Sequence, residues 1–223
     1  MNMQTTKDLY KLRFNENEKK RKNALWQVLC KDFLQGFVDP ESSVLDLGAG
    51  FCEFINNIKA KNKYAVDINP QLHKYARQGV HVINTHCTDL QEINNESMDV
   101  VFSSEFFEHL KNKEELFATL KEVHRILRER GKLIVVCPNI RYVGHRYWDF
   151  IDHGLPLTHL GMREALLMHH YSVVKLVPRF LPYTTKSHFP KSQYLLRIYL
   201  KLPILWRIFG TQMFIVAEKE RVE

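Results

Sequence analysis

Two glycines, Gly48 and Gly50, follow an acid at Asp46, and a second acid stands at Asp67. Glycine lets a backbone turn with positive φ and brings its N–H groups close to a ligand with no Cβ in the way. An acidic side chain at the end of the next strand accepts the hydroxyls of a ribose. The run Val44-Leu45-Asp46-Leu47-Gly48-Ala49-Gly50-Phe51-Cys52-Glu53 and the later Tyr64-Ala65-Val66-Asp67 therefore read as two neighbouring strands that hold a nucleoside.

The strands and helices around these residues follow in chain order. Ser43 to Leu47 is a short apolar strand, the glycines are its turn, and Phe54 to Lys59 opens a helix. A third strand near Val80 to Asn84 leads to His86-Cys87-Thr88-Asp89-Leu90, which places Asp89 where an adenine amino group is recognised. Met98 to Phe102 is a fourth strand, and Ser103-Ser104-Glu105-Phe106-Phe107-Glu108-His109-Leu110 leaves its carboxyl end. Leu116, Leu120, Val123 and Leu127 fall at helical spacing within Glu114 to Arg128, and Gly131 to Asn139 supplies a turn and a fifth buried strand. Ser172 to Val177 and Gln212 to Ala217 complete the sheet.

Charge indicates which nucleoside fits. A dinucleotide lays its pyrophosphate on the helix N-terminus, and carboxylates at Asp46 and Glu53 repel it. S-adenosylmethionine carries an ammonium and a sulfonium, which acids around the turn suit. Glu53 has a second reading, a first-turn acid favoured by the helix dipole.

From Ser43 to Asn139 these motifs resemble a class I S-adenosylmethionine-dependent methyltransferase. The resemblance implies an α/β, Rossmann-like fold with a seven-stranded, mostly parallel sheet, one antiparallel strand and helices on both faces. It implies a cofactor site at Asp46, Gly48, Ala49, Gly50, Asp67, Ile68, Asp89, Leu90, Ser103 and Ser104. Cys52 stands where the family often has a third glycine, and close packing is expected there. Outside the core, Arg13-Phe14 with Ala24-Leu25-Trp26, Tyr147 to His153, Pro156-Leu157-Thr158-His159 and Arg179 to Lys186 resemble a bacterial group often found among genes for cell-surface polysaccharide assembly.

The 223 residues suit one domain. Within it, 1–42 form a helical cover, 43–140 the cofactor core, and 141–223 a substrate-side loop, the late strands and a basic aromatic insertion. No leading segment resembles a signal peptide and no run approaches a bilayer span, so a cytoplasmic protein is expected. Cys30, Cys52, Cys87 and Cys137 have no paired spacing and read as reduced thiols. No metal is expected, and His169-His170 is read as a helical pair whose members face apart.

The net charge of +7 is uneven: residues 1–32 carry eight bases and four acids, 33–140 twelve and fifteen, and 141–223 twelve and six. Ala165 to Ala217 holds no Asp or Glu, while Lys175, Arg179, Lys186, Lys191, Arg197, Lys201 and Arg207 alternate with aromatics. An anionic partner or surface fits this segment. Residues 186–207 can meet substrate or lie in a membrane interface, or their apolar residues can pack on the sheet.

Methyl transfer is a direct displacement, so alignment dominates. A hydroxyl nucleophile also needs a base, and histidine has a suitable pKa. His109 leaves the fourth strand beside the cofactor site. His153, preceded by Asp152, and His159 lie on the loop after the fifth strand, where Tyr142, Tyr147 and Trp148 offer a sugar-stacking wall. Ser103-Ser104-Glu105-Phe106 lacks the proline-containing motif of enzymes that methylate base amino groups, so nucleic acid is the less favoured acceptor. The leading expectation is O-methylation of a glycan, nucleotide sugar or lipid-linked saccharide. The alternatives are an RNA, small-molecule or lipid methyltransferase and a non-catalytic cofactor-binding scaffold.

Overall fold

The computed structural model describes residues 16–183 and 192–221. Seven strands form one sheet in the order β3-β2-β1-β4-β5-β7-β6. They are β1 (Ser43–Leu47), β2 (Asn62–Val66), β3 (Val80–Ile83), β4 (Met98–Ser104), β5 (Leu127–Pro138), β6 (Tyr171–Val177) and β7 (Gln212–Lys219). The first five pair in parallel, and β7 runs antiparallel between β5 and β6. All five residues of β1 are buried, as a central parallel strand covered on both faces requires.

Alternation along the strands divides the core in two. Leu45, Leu47, Val101, Leu133 and Val135 meet α3 (Lys113–Ile126) and α5 (His159–Met168) through Leu120, Val123, Met162 and Leu166. Val44, Val100, Phe102, Ile134 and Val136 face α1 (Glu16–Asp32), α2 (Glu53–Asn57), α6 (Gln193–Lys201) and α7 (Pro203–Phe209). A single turn, α4 (Ile140–Val143), follows β5. Asn112 caps α3 by accepting from Glu115 N at 2.9 Å, and Thr158 caps α5 by accepting from Gly161 N at 3.0 Å, which satisfies N–H groups that helix starts leave open.

The sheet order reverses between β1 and β4. Such a switch point leaves a crevice at the carboxyl ends of the strands, where α/β folds bind ligands.

Boundaries differ from the sequence reading at three places, the first being Gly131, which was expected in a turn but lies within β5. Leu127 was expected at the end of a helix but opens β5, because it pairs with Met98 and is fully buried. His169 and His170 do not lie on a helix: α5 stops at Met168, and His170 takes a left-handed φ of 59°.

The basic aromatic insertion is largely a cover for the sheet. Leu196, Tyr199, Leu200 and Trp206 are buried against Val28, Phe180 and Phe214. Arg197 pairs with Asp32 at 3.0 Å, and Arg179 donates to Gly210 O and Ile208 O. Lys186 and Lys191 lie outside the described residues. All four cysteines are free and buried. Among the described residues no helix is long and apolar enough to cross a membrane.

Candidate active site

The glycine turn sits at the switch point. Gly48 N and Ala49 N both donate to Val66 O, at 2.9 and 3.0 Å, which ties the turn to the end of β2. Gly48 has φ +73°, and a Cβ there would lie 2.4 Å from Phe106 Cδ2, so the position admits only glycine. Cys52, where a third glycine was expected, has φ 59° and is fully buried. It keeps the conformation that glycine favours and packs closely, as the sequence suggested.

Asp46 and Asp67 hold this turn in different ways. Asp46 Oδ2 accepts from Ile55 N at 3.3 Å, so its carboxylate steadies the start of α2 from the strand below. Asp67 Oδ2 accepts from Gly50 N and its Oδ1 from Asn69 N, both at 2.8 Å. Each oxygen retains lone-pair capacity for a ribose hydroxyl. Burial pushes both carboxyls above the usual range; Glu53 and Asp67 add to the effect at Asp46.

Lys22, from α1, enters this acidic ring and contacts Glu53 Oε1 at 3.2 Å. Burial works against its charge, but Glu53, Glu105 and Asp46 together outweigh that and hold its pKa up. Lys22 ends the basic run Lys19-Lys20-Arg21-Lys22, whose composition alone gives no sign of a buried partner. Negative charge gathered around one protein cation suits a ligand that brings an ammonium and a sulfonium.

The remaining cofactor-side residues divide. Ser103 is fully buried and its Oγ donates to Leu47 O at 3.0 Å, locking β4 to β1. Ser104 and Ile68 are half-buried at the crevice ends of their segments. Asp89 is exposed, and its N–H closes a turn on His86 O. Leu90 is fully buried in the core, with its N–H donating to Glu122 Oε2 at 3.0 Å. Its side chain therefore serves packing rather than the crevice.

On the other side of the crevice, β4 ends in a strained step, with Glu105 at φ 50°. A 3-10 turn over Phe107–His109 follows. Glu108 O accepts from Gly154 N at 2.8 Å and from Leu155 N at 3.1 Å, and these bonds dock the loop after β5 onto the turn. Gly154 is needed there, because a Cβ on it would meet Leu110 O at 2.6 Å.

Docking brings the His109 and His153 rings to 5.1 Å between centroids. His153 Nδ1 lies 2.9 Å from Tyr147 O, and His109 Nδ1 lies 3.1 Å from Asp152 O and 3.4 Å from Asp152 Oδ2. The carbonyl and carboxylate oxygens only accept, so a hydrogen on each Nδ1 suits these contacts, and Tyr183 Oη lies 3.3 Å from the same His153 Nδ1. Glu108 is 2% exposed, its Oε2 has no hydrogen-bond partner, and burial, reinforced by Glu105 and Asp152, pushes its carboxyl well above the usual range.

His159 does not join this pair. Its Nδ1 accepts from Asn139 Nδ2 at 2.9 Å and its ring stacks on Tyr142. Burial, with the charge of Arg141, lowers its pKa. The neutral ring then carries its proton on Nε2 and has no lone pair left for a substrate. Tyr147, expected in an aromatic wall, is fully buried, and its hydroxyl donates to Leu155 O at 2.7 Å. Trp148 and Tyr142 remain 58% and 37% exposed.

A second group with metal-ligand atoms, His86, Cys87 and Glu115, is closed on itself. His86 Nε2 pairs with Glu115 Oε1 at 3.0 Å, and burial raises the Cys87 thiol to about 11.

Residues 45–135 match the family model described as a methyltransferase domain. This core is a methyltransferase domain. The fold is shared with solved methyltransferases. An S-adenosylmethionine-dependent methyltransferase from Archaeoglobus fulgidus is 22% identical with a TM-score of 0.67, covering 91% of this chain and 97% of that one. A Thermotoga maritima S-adenosylmethionine-dependent methyltransferase, described as a possible histamine N-methyltransferase, is 18% identical with a TM-score of 0.66, covering 96% and 99%. A chain of the Haloferax volcanii complex that contains the Trm112 methyltransferase activator is also 18% identical, with a TM-score of 0.66, covering 92% and 93%. No curated protein matches the chain in sequence.

The cofactor of this methyltransferase domain is S-adenosylmethionine. The residues that would hold it are those of the Gly48–Gly50 turn and Asp67, whose carboxylate keeps acceptor capacity for hydroxyls, beside acids at Asp46 and Glu53 that suit a cationic ligand. The bound cofactor supplies an electrophilic methyl on a sulfonium. The chain's own task is to align an acceptor with that methyl and manage the acceptor's proton.

Proposed function

We propose that the methyltransferase acts on a hydroxyl of a sugar-derived acceptor with an anionic group, such as a nucleotide sugar, a lipid-linked saccharide or a glycan. The observation that carries this reading is the composition of the loop after β5 that carries His153. Trp148 is 58% exposed, Arg141 and Arg146 are exposed on the same loop, and Tyr142 stacks on His159 with Arg179 over its ring. Aromatic faces stack on sugar rings, and arginine pairs with phosphate or carboxylate oxygens. A hydroxyl must lose its proton to attack, and the His109–His153 pair is the group on this side of the crevice that can assist that loss. An acceptor of this kind belongs to cytoplasmic assembly of surface polysaccharide, in keeping with the sequence resemblance.

The same reading gives the outer face of α6 and α7 a role. Leu202, Ile204, Ile208 and Phe209 are 44–58% exposed, and Lys201 and Arg207 lie among them. Apolar side chains interspersed with bases suit the interface of an anionic bilayer, where a lipid-linked acceptor is held.

The test is methyl transfer from labelled S-adenosylmethionine to a panel of nucleotide sugars, lipid-linked saccharides and glycans. Label in a saccharide hydroxyl is expected. Label found only in RNA or protein, with or without a Trm112-type activator, would overturn the proposal.

A further inference from the structure

We infer that Glu108, His109 and His153 form a binding site for one divalent transition-metal ion, and that this ion activates the acceptor hydroxyl. The inference deepens the acceptor reading above and rests on it for the role of the ion, although binding itself does not.

Each of the three residues offers one ligand atom, and the atoms lie within 4.8 Å of one another. Ligand atoms on one ion with bonds of about 2.0–2.2 Å sit roughly 3–3.5 Å apart, so a modest inward turn of the side chains closes the site. Two imidazoles and one carboxylate form a donor set that suits zinc, manganese, cobalt or iron(II) and leaves coordination positions open for substrate.

Three independent features point to a cation. Glu108 Oε2 is buried without a hydrogen-bond partner, an arrangement that is unfavourable unless something occupies the adjacent space. Tyr147 O fixes the His153 ring through Nδ1, and Asp152 fixes the His109 ring through Nδ1. Carbonyl and carboxylate partners behind metal-binding histidines set the tautomer and aim Nε2 at the ion. The ligands also come from two segments, the β4 exit and the loop held by Gly154, so the triad exists only in the folded chain.

The chemistry balances without a further reactant. An acceptor hydroxyl coordinated to the ion loses its proton to solvent, because a bound divalent cation makes the oxygen more acidic. The resulting alkoxide oxygen forms a C–O bond to the cofactor methyl. The C–S bond breaks with its electron pair moving to sulfur, and neutral S-adenosylhomocysteine is released. A vicinal sugar diol fills two open positions at once, which orients the ring for in-line attack.

The experiment titrates the EDTA-treated, desalted full chain with Co2+, followed by visible absorption, and with Mn2+, followed by electron paramagnetic resonance. About one ion per chain is expected. His153→Ala and Glu108→Gln should each weaken binding by about 100-fold or more. S-adenosylmethionine affinity, measured calorimetrically on the same preparations, should change less than about 3-fold, which reports an intact fold. Saturation without dependence on either residue, or no ion bound at millimolar concentration by a chain that binds cofactor, overturns the inference. In that case metal-independent methylation of a saccharide would leave the acceptor proposal standing with direct histidine catalysis. Ion binding by a chain that methylates no saccharide would sustain the site and remove the acceptor reading.

Discussion

Gly154 N donates to Glu108 O at 2.8 Å, and this contact joins the segment leaving β4 to the loop after β5. The loop can approach so closely because Gly154 has no side chain; a Cβ would lie 2.6 Å from Leu110 O. His153, one residue earlier, is thereby held beside His109.

Gly154→Ala should push this loop away from the β4 exit. A misplacement of about 1 Å at the reacting groups reduces turnover on the order of 100-fold. Cofactor affinity should stay within about 2-fold, since Gly48–Gly50 and Asp67 are untouched. Steady-state kinetics beside cofactor titration check this, and full turnover by the variant would show that the loop's position does not matter.

Asp46→Asn tests the buried acid beneath the turn. Burial raises the folded-state pKa of Asp46 above its unfolded value of about 3.9. The native state therefore binds more protons, and stability from this group falls as pH rises from about 4 through the raised folded value. Asparagine removes that dependence while keeping an oxygen for Ile55 N. The cofactor-free variant should gain stability at pH 7, lose part of its gain on acidification, and bind the cationic cofactor more weakly. Urea unfolding at pH 5 and pH 7 decides the matter; an unchanged pH dependence would refute this role for Asp46.

Cys52 has φ 59°, a conformation that costs an ordinary L-residue about 1–2 kcal/mol. Cys52→Gly relieves that strain while losing a buried thiol, so stability should stay within about 1 kcal/mol and cofactor binding should persist. Cys52→Val adds β-branching at the same backbone and should lose about 2 kcal/mol or more. Equal melting temperatures for the two variants would count against the strain argument.

Trp148 is 58% exposed, so Trp148→Ala should leave the melting temperature nearly unchanged. Loss of a stacking face worth about 1 kcal/mol should raise the acceptor KM about 5-fold, with cofactor affinity unaffected. An unchanged KM for every saccharide would place the acceptor elsewhere.

The glycine turn and the two acids beside it were legible because their determinants are local. Asp46, Gly48 and Gly50 are adjacent in sequence, and hydrophobic runs announced the strands carrying them and Asp67. The acceptor half depends on tertiary docking, so spacing could nominate His109 and His153 but could not join Glu108 to them. The Glu108-His109 doublet at a strand exit was the available signal. His159 was the third candidate on the same loop, and its bond to Asn139 separates it from the pair. Leu90 was misplaced because a buried apolar residue next to an acid looks the same in sequence whether it faces a ligand or the core. Lys22 reads as solvated in a basic run, and only the packing of α1 brings it to Glu53.

Isothermal titration of the chain and of Asp67→Ala with S-adenosylmethionine measures whether the Gly48–Gly50 turn and the acid at Asp67 hold the cofactor. Saturable binding of about one cofactor per chain, weakened at least 10-fold by the substitution, is predicted. No binding by the wild-type chain, or the same dissociation constant for both proteins, would mean that the cofactor is not held at this turn.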